Sequence, residues 1–486
     1  MSAGCATLPG VTEAVPPPRG GGSAPAFTAG ELATLTGGRL LRTSERPIRG
    51  GAVDSRAVRA GAVFVALPGE RTDGHRHLEA AVAAGAAALV VSRPPASSIL
   101  DAVGDVTVVL VPDGLRALGA LAAGWRRRFS PLVVGVTGSI AKTSVKEAIA
   151  AVLGRSFVTL RSEGNRNNEI GLPLTLLGLG PEHEAVVLEM GMYVGGEIAD
   201  LAAMARPRIG VVTAVQAVHL SRIGSIEAVE QAKGELVEAL PPDGTAILNA
   251  DDERVVRMAA RTSARVVTYG FDPAADVTAE NVVSAGAEGM RFALRTPIGR
   301  QDVATPALGR HGVQNALAAA AVGMAAGCDL REIVAGLGAG WSAPHRDRLV
   351  RAGEVTILDD SYNASPASVR AALELLAALP GSRRVAILGE MLELGPQHEA
   401  GHREIGAAAA AVAGLIIVVG AGATGIAEAA GEAGLPAHRI LLAADADEAL
   451  ELVRPRLRTG DIVLVKGSRG IGLDRLVEQL VLEAAT

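Results

Sequence analysis

The chain has 486 residues, a formal net charge of −6 and two cysteines. This length exceeds what a single hydrophobic core normally supports, so we expect roughly two to four domains. The acidic balance, with aromatic residues at only 2%, argues against nucleic acid as a main partner. Two cysteines cannot build a disulfide framework, which favours a reducing compartment and a cytoplasmic location.

Hydrophobic residues make up 49% of the chain, but they occur in short runs that Gly, Pro or charged residues interrupt. No unbroken apolar stretch of about 18 residues is present, so we expect no membrane insertion. Residues 1–26 lack a basic start followed by an apolar block, which argues against a secretory signal. Their Pro, Gly and Ser content predicts a disordered leader over residues 1–26.

The first block of elements covers residues 27–110. It alternates short apolar strands, such as residues 63–67, with helical patterns, such as residues 78–88. This mixture predicts a small α/β domain. We expect residues 111–130 to form a linker to the next domain.

The second block, residues 131–340, separates apolar runs by helical patterns. The first helix places Val145, Ile149 and Val152 on one face. Strands that alternate with helices predict a parallel α/β sheet. The runs that predict its strands are residues 132–136, 185–188, 209–213, 246–248 and 266–269.

The third block, residues 341–486, repeats this alternation with Ala-rich helices. It predicts a second doubly wound sheet of Rossmann-like type. The runs that predict its strands are residues 356–358, 385–388, 415–419 and 462–465.

A Gly/Ser/Thr-rich loop, G-V-T-G-S-I-A-K-T at residues 135–143, lies between the first strand and helix of the second block. Such a loop directs backbone N–H groups and a helix N-terminus at phosphate oxygens. Lys142 would then contact the β- and γ-phosphates of ATP, and the Thr143 hydroxyl would reach Mg²⁺. The residues that we expect to contact the nucleotide here are Thr137, Gly138, Ser139, Ile140, Ala141, Lys142 and Thr143.

One position in this loop departs from the usual pattern. Ala141 stands before the lysine, where glycine is normal. Its methyl group either fits an ordinary helical dihedral or crowds the backbone that approaches the phosphate. The alternative interpretation is a Gly/Ser-rich turn that binds no nucleotide.

Several segments resemble the Mur ligase family. The phosphate loop with its continuation to Glu147 is similar to the family's version, and Asp54-Ser55-Arg56 resembles part of its uridine-nucleotide-binding domain. Four further segments carry the resemblance: E-G-N-R-N-N-E-I-G-L-P-L-T-L-L at residues 163–177, D-D-S-Y-N-A-S-P at 359–366, R-V-A-I-L-G-E-M-L-E-L-G at 384–395 and K-G-S-R at 466–469.

The resemblance implies a fold and an activity. The fold would be α/β with three domains: a small N-terminal UDP-binding domain, a central P-loop-type ATPase domain with a parallel sheet, and a C-terminal Rossmann-like domain. The activity would be ATP-dependent addition of D-alanyl-D-alanine to a UDP-N-acetylmuramoyl tripeptide through an acyl phosphate. We expect a monomer, and the third residue of the tripeptide stays open.

The resemblance also implies residues that act on the reacting groups. Glu189 follows an apolar run, and a carboxylate at the carboxyl end of a parallel strand can hold Mg²⁺. His219 matches a histidine of the family's second magnesium site. Lys233 matches a lysine that is carbamylated in the family, which requires a neutral amine. We expect Lys142, Glu189, His219 and Lys233 to be catalytic, and Thr143, Glu189, His219 and Lys233 to form the metal site.

Further residues are implied to bind nucleotide or substrate. Asn315 would lie near the adenine, in a segment that also contains His311. Arg348 and Asp360 would reach the ribose and phosphates, and Arg346 competes with Arg348 for this role. The residues implied to contact the UDP-peptide or the dipeptide are Ser55, Arg56, Asn167, Asn168, Tyr362, Asn363 and Lys466.

Simpler interpretations remain for each of these residues. Without the resemblance, Glu189 would be read as a solvated strand end, His219 as a packed polar residue and Lys233 as a surface lysine. Two alternative functions also remain. One is a sibling Mur ligase or a folylpolyglutamate-type ligase that adds a single amino acid, and the other is a non-catalytic relative that binds nucleotide.

Overall fold

The computed structural model describes residues 25–69, 72–216 and 223–484. The predicted leader therefore lies almost entirely outside the described residues. The chain divides into two compact units. Unit 1 is Met1–Gly135, Phe157–Gly191 and Glu197–Arg208, and unit 2 is Val136–Ser156, Met192–Gly196 and Ile209–Thr486.

Unit 1 contains a five-stranded sheet in the order β1-β5-β4-β3-β2. Strands β2 to β5 are parallel, and β1 is antiparallel to β5. The strands are β1 (Arg39–Arg42), β2 (Gly51–Ala52), β3 (Val63–Val65), β4 (Ala88–Val91) and β5 (Thr107–Leu110). The helices beside them are α1 (Ala29–Thr36), α2 (Leu78–Ala83) and α3 (Ser97–Ala102).

Residues 111–130 do not form the expected linker, because they contain helix α4 (Gly114–Arg126). The Asp113 carboxylate caps this helix by accepting hydrogen bonds from the N–H groups of Leu115 and Arg116. Trp125 is fully buried on it and donates its indole N–H to the carbonyl of Leu179 at 2.9 Å. The amphipathic Ala/Leu stripe thus packs this segment into unit 1.

Strand β6 (Leu132–Thr137) takes part in both units. In unit 1 the order is β7-β8-β6, and in unit 2 it is β6-β9-β10-β11-β12-β13-β14. The further strands are β7 (Thr159–Arg161), β8 (Ala185–Glu189), β9 (Ile209–Val212), β10 (Thr245–Asn249), β11 (Arg265–Gly270), β12 (Val277–Ser284), β13 (Met290–Thr296) and β14 (Gly299–Thr305). The helices are α5 (Lys142–Leu153), α6 (Gly171–Leu177), α7 (Glu197–Ala205), α8 (Ile226–Glu238), α9 (Glu253–Arg257), α10 (Gly309–Ala325) and α11 (Leu330–Ala339).

Strands β9 to β12 are parallel to one another, as the alternation with helices predicts. Strands β12, β13 and β14 then form an antiparallel meander that the sequence analysis did not predict. Its last strand has the sequence G-R-Q-D-V-A-T and is largely exposed on one face. A strand with so few apolar residues gives no hydrophobic run to recognise.

The C-terminal part of unit 2 contains a six-stranded sheet in the order β15-β16-β20-β17-β18-β19. All neighbouring strands are parallel except β15 with β16. The strands are β15 (Arg348–Ala352), β16 (Val355–Asp359), β17 (Arg383–Gly389), β18 (Leu415–Val419), β19 (Ile440–Ala443) and β20 (Asp461–Lys466). The helices are α12 (Pro366–Ala378), α13 (His398–Ala410), α14 (Thr424–Glu432), α15 (Ala446–Val453) and α16 (Leu473–Ala484).

These parallel sheets confirm the predicted α/β fold class. Within each sheet, the carboxyl ends of neighbouring parallel strands meet at the same edge, and loops that follow those ends lie side by side. None of the helices in the part of the chain that the structure describes is long and apolar enough to cross a membrane.

Helices α13 and α14 approach each other closely at a glycine. A Cβ atom on Gly406 would lie 2.2 Å from the carbonyl oxygen of Ile426, whereas one on Gly431 would meet nothing nearer than 3.8 Å. We predict that Gly406→Ala lowers the free energy of unfolding by about 1–3 kcal/mol. The matched Gly431→Ala should leave it unchanged or raise it by up to about 1 kcal/mol. Urea denaturation of both variants checks this, and equal effects would contradict the close approach.

Candidate active site

The phosphate loop connects β6 to α5 in the way that the sequence predicts. Gly138 has φ 150°, and a Cβ atom there would lie 1.8 Å from the hydroxyl oxygen of Thr213. Ala141 has φ 64° and ψ −1°, a left-handed conformation. This conformation excludes the ordinary helical dihedral that the sequence left open for Ala141. The residue adopts the backbone shape that glycine would normally supply.

The segment after β9 holds this loop in place. The Thr213 hydroxyl donates to the carbonyl of Ile140 at 2.6 Å. Ser139 donates its N–H to the carbonyl of Ala214 at 2.8 Å, and its hydroxyl oxygen accepts from the N–H of Gln216 at 2.8 Å. These bonds hold the loop in one conformation, which reduces the reorganisation that ligand binding would require.

Lys142 lies over the loop, half-buried. Its ammonium donates to the carbonyls of Gly138 at 2.7 Å and Ser139 at 3.3 Å. Thr143 follows in the first turn of α5 and is 5% exposed. A cation above a preformed loop, with a hydroxyl at the helix start, is the arrangement that binds nucleotide phosphates.

Lys233 lies on α8 and is 2% exposed, so it is not the surface lysine of the simpler interpretation. Burial lowers the pKa of its amine well below the ordinary value, and the positive charge of Lys142 lowers that pKa further. The amine is therefore readily neutral. Neutrality is the chemical condition for carbon dioxide to add to it.

Glu189 ends β8 and is 2% exposed, which also excludes a solvated strand end. One of its carboxylate oxygens accepts a hydrogen bond from the side-chain amide of Asn167 at 2.8 Å. The side-chain oxygen of the neighbouring Asn168 instead accepts a hydrogen bond from the N–H of Gly171, the first residue of α6, at 2.9 Å. The structure thus gives the paired asparagines different partners.

The metal-site prediction includes His219, which lies outside the described residues. Within residues 25–69, 72–216 and 223–484, no group of three or more His, Cys, Asp and Glu side chains is placed to hold a metal ion. Carboxylate and hydroxyl oxygens, such as those of Glu189 in unit 1 and Thr143 in unit 2, are the type of donor that Mg²⁺ prefers.

In unit 1, Ser55 and Arg56 lie in a short 3-10 turn, Ser55–Ala57, that Asp54 caps. The Arg56 guanidinium pairs with the Asp54 carboxylate at 2.6 Å, and its side chain is 77% exposed. This hydrogen bond lowers the pKa of Asp54. The turn therefore holds the Arg56 guanidinium at the surface, where Asp54 fixes its orientation.

The residues of unit 2 that we predicted to bind the nucleotide lie in two places, on helix α10 and around the start of strand β15. Asn315 is 6% exposed on α10. In the first turn of the same helix, His311 contacts the Asp347 carboxylate at 3.2 Å. Arg348 begins β15 and is exposed, whereas the Arg346 guanidinium lies 4.3 Å from the centre of the Tyr362 ring. Arg346, rather than Arg348, therefore faces the other predicted residues.

His311 and Asp347 influence each other's protonation. Burial opposes the charge on His311, but the Asp347 carboxylate outweighs burial, so the pKa of His311 is raised. Burial likewise opposes the charge on Asp347, but His311 outweighs it and the pKa of Asp347 falls to about 2. The two side chains thus favour an ion pair.

Lys466 and Asp360 form a buried ion pair. The Lys466 ammonium donates to the Asp360 carboxylate and, at 2.9 Å, to the carbonyl of Asn363. Their side chains are 3% and 10% exposed. Burial raises the pKa of Asp360 to about 6, although the charge of Lys466 opposes this shift. The sequence analysis placed Asp360 at ATP and Lys466 at the dipeptide, and the structure joins them.

Sequence reasoning missed Lys146, although a compositional signal was available. Of the 46 lysines and arginines, only Lys142, Lys146, Lys233 and Lys466 are lysines. Lys146 is fully buried, and its ammonium lies 2.9 Å from the Glu147 carboxylate. A chain that uses arginine elsewhere has kept lysine at four positions that are all buried or half-buried in or beside the predicted motifs. Lysine presents a compact amine on a flexible stem, which the planar guanidinium of arginine does not reproduce.

A second glycine-rich turn, G-x-G-x-x-G at Gly420, Gly422 and Gly425, was also missed. It lies between β18 and α14, which is the context of a dinucleotide-binding turn. However, the Glu390 carboxylate accepts a hydrogen bond from the N–H of Gly422 at 3.2 Å. A Cβ atom on Gly422 would lie 2.2 Å from that carboxylate. The protein's own anion therefore occupies the place where a pyrophosphate would approach.

Three family descriptions match this chain. "Mur ligase family, catalytic domain" matches residues 47–126, "Mur ligase middle domain" matches residues 136–323, and "Mur ligase, glutamate ligase domain" matches residues 345–469. Together they span the N-terminal sheet, the phosphate loop and the C-terminal sheet.

Relatives with the name UDP-N-acetylmuramoyl-tripeptide--D-alanyl-D-alanine ligase are similar over most of the chain. The Escherichia coli (strain K12) protein is 40% identical, with 88% of this chain and 92% of the relative covered. The Mycobacterium tuberculosis (strain H37Rv) protein is 36% identical, with 94% and 98% covered. This chain belongs to the Mur ligase family, as its motifs predict.

Solved structures agree with this assignment. MurF from Acinetobacter baumannii is 30% identical, with a TM-score of 0.83 and coverage of 94% of this chain and 99% of that chain. MurF ligase from Thermotoga maritima, in complex with ADP, is 27% identical, with a TM-score of 0.77 and coverage of 90% and 98%. Folylpolyglutamate synthase from Mycobacterium tuberculosis, at 18% identity and a TM-score of 0.60, shares the fold.

The left-handed conformation of Ala141 has a measurable cost. An L-residue with a Cβ is disfavoured there by roughly 1–2 kcal/mol, part of which glycine's larger unfolded-state entropy offsets. We predict that Ala141→Gly raises the free energy of unfolding by about 1 kcal/mol. The same change at Ala151, inside α5, should lower it by about 1 kcal/mol. Urea denaturation compares the two variants, and a loss of stability in both would contradict the loop conformation.

Proposed function

We propose that this chain is an ATP-dependent ligase that adds D-alanyl-D-alanine to UDP-N-acetylmuramoyl tripeptide, in the cytoplasm and as a monomer. The observation that carries the catalytic part is the braced phosphate loop with Lys142 above it and the buried amine of Lys233 beside that charge. The choice of substrates is supported by the shared name of relatives that are 36–40% identical over 88–94% of the chain.

The first stage makes an acyl phosphate. A carboxylate oxygen at the end of the tripeptide attacks the γ-phosphorus of ATP, and the bond from that phosphorus to the ADP oxygen breaks. Two anions must approach each other, so positive charge and fixed N–H dipoles are needed. Lys142 and the N–H groups between Gly138 and Thr143 would supply them.

Mg²⁺ would be held by Thr143 and Glu189, by His219 and by a carbamate on Lys233. When bound, it neutralises charge on the transferred phosphoryl group. Asn167 orients the Glu189 carboxylate by its hydrogen bond. Thr137 to Thr143, Asn315, Asp360 and Arg346 or Arg348 would hold the nucleotide.

The second stage forms the amide bond. The neutral amine of the dipeptide attacks the acyl carbon, and a tetrahedral intermediate expels phosphate with the original carboxylate oxygen. The amine must lose a proton to a base or to the departing phosphate. Ser55, Arg56 and Asn168 would contact the UDP-peptide, and Tyr362 and Asn363 would contact the dipeptide. Water must be excluded, because it would hydrolyse the acyl phosphate.

The two alternative functions, a folylpolyglutamate-type ligase and a non-catalytic relative, have less support. A folylpolyglutamate-type ligase shares only the fold at 18% identity. A non-catalytic relative would not need a buried lysine with a lowered pKa beside a braced phosphate loop, since both features serve chemistry rather than binding alone.

Lys142→Ala should abolish ADP release that depends on both UDP-muramoyl tripeptide and D-alanyl-D-alanine. The loop would lose the cation that balances the meeting of two anions. The matched control Arg155→Ala removes an exposed cation just beyond the other end of α5 and should leave the rate unchanged. The same assay with single amino acids in place of the dipeptide should give no ADP. Normal turnover by Lys142→Ala, or turnover with a single amino acid, would refute the proposal.

Carbamylation of Lys233 can be observed directly, because the chain has only four lysines. With ¹³C-labelled bicarbonate, we predict one carbamate carbonyl resonance that is absent in Lys233→Met. The pKa of this amine is lowered by burial and by the charge of Lys142, so a larger fraction is neutral than for an exposed lysine. The resonance should weaken as the pH falls, since protonation then competes with addition of carbon dioxide. A resonance that persists in Lys233→Met would contradict the assignment.

A further inference from the structure

The guanidinium of Arg261 binds the backbone of helix α8. Arg261 ends the 3-10 turn Met258–Arg261, which follows α9. It donates to the backbone carbonyls of Glu230 at 3.2 Å and Gln231 at 2.9 Å, and to the Glu238 carboxylate at 2.9 Å. One side chain thus contacts α8 over about two helical turns.

The guanidinium can approach α8 this closely because Gly234 has no side chain. A Cβ atom on Gly234 would lie 1.9 Å from Nη1 of Arg261 and 2.1 Å from its Cζ. Glycine inside a helix is unfavourable relative to alanine, and here it leaves the space that the guanidinium fills. Gly234 directly follows Lys233, so Arg261 packs against the backbone next to the buried lysine.

The other arginines on this face of α9 bind α8 differently. The guanidinium groups of Arg254 and Arg257 each lie 2.9 Å from the Glu230 carboxylate, and their side chains are 30% and 54% exposed. Exposed ion pairs of this kind contribute little to stability. The Arg261 side chain is 19% exposed and binds backbone carbonyls. It therefore constrains the path of the helix as well as its charge.

The position of the Lys233 amine depends on this path. A lysine side chain is a flexible stem that does not fix where its amine lies. Lys233 is 2% exposed, so the surrounding protein confines the amine, and a displacement of α8 would move it within that space. Small displacements of a reacting group that originate far from the chemistry can lower a rate by up to about 100-fold.

We propose that Arg261 is a positioning residue for Lys233, and that it holds α8 at residues 230–234 so that the amine stays where carbon dioxide adds to it. This inference rests on the proposed function, which makes Lys233 the modified lysine, and adds Arg261 and Gly234 to it. In the modification, the nitrogen lone pair of the neutral amine forms a bond to the carbon of carbon dioxide. One N–H proton leaves to solvent, and a carbamate with one negative charge remains.

The test measures the carbamate itself, in the absence of Mg²⁺ and substrates. The ¹³C resonance that Lys233→Met removes is followed as ¹³C-labelled bicarbonate is added to Arg261→Gln. We predict that the bicarbonate concentration for half occupancy rises about 10-fold, a factor that the net contribution of one hydrogen bond can produce. The matched control Arg257→Gln removes an exposed ion pair to the same helix, so its half-occupancy concentration should equal that of wild type.

A second variant separates positioning from loss of folding. In Gly234→Ala the new methyl group displaces the Arg261 guanidinium, while alanine favours the helix. We predict a carbamate loss like that of Arg261→Gln, without a lower midpoint of urea denaturation. The double variant should lose no more carbamate than either single variant, because both changes remove the same contact.

Ligase kinetics give an independent measurement. At low bicarbonate, kcat of Arg261→Gln should fall by a factor similar to the loss of carbamate, while the KM for ATP stays unchanged. Added bicarbonate should restore kcat in Arg261→Gln but not in Lys233→Met. A purely structural defect would not respond to bicarbonate in this way.

The outcomes distinguish this inference from the proposed function. Equal carbamate occupancy in wild type and Arg261→Gln would overturn the positioning role, and so would an equal loss in Arg257→Gln. A wild type without the Lys233 resonance would also overturn it, whereas the ligase assay would still decide the proposed function. If the protein formed the carbamate but no amide bond, the ligase activity would be refuted, and the carbamate comparison would still decide the role of Arg261.

Discussion

The close approach of Gly138 to Thr213 is the constraint on which the shape of the phosphate loop depends. Because a Cβ atom at position 138 would fall 1.8 Å from the Thr213 hydroxyl, the loop can lie against the end of β9 only with glycine there. That approach lets Thr213 and the residues after it hold the loop. Asn249, at the end of β10, in turn donates to the carbonyl of Thr213 at 2.8 Å. The sheet thus sets the loop's shape, so little reorganisation is needed when a triphosphate binds.

Lys142, Lys233 and Lys466 differ in burial and in the charges that surround them. Lys142 is half-buried and keeps a charge above the loop, while Lys233 is fully buried nearby and has its pKa lowered by burial and by Lys142. Lys466 is buried as well, but the Asp360 carboxylate compensates its charge. Under the proposed function, these three lysines would provide a cation for phosphate, an amine that carbon dioxide can modify, and a structural ion pair.

Local patterns in the sequence predicted the strands that carry the site and the loop around Lys142, since hydrophobic runs and turn residues lie close together in the chain. They did not predict the pairing of Lys466 with Asp360, which are 106 residues apart. The left-handed dihedral of Ala141 depends on how the loop is held by β9, so the sequence left it open. The polar meander of β12 to β14 lacked hydrophobic runs, whereas the helix at 114–126 carried a signal, a capping Asp113 and an Ala/Leu stripe, that the sequence analysis did not use. His219 lies outside the described residues, and the other individual roles stay predictions.

The central claim is that the tripeptide carboxylate attacks the γ-phosphorus of ATP. Labelling both oxygens of that carboxylate with ¹⁸O tests it most directly, because one of them must leave with the phosphate. Turnover with D-alanyl-D-alanine should give inorganic phosphate that carries one ¹⁸O atom, visible as a shifted ³¹P NMR resonance. Unlabelled phosphate from a protein that forms the amide bond would contradict this account.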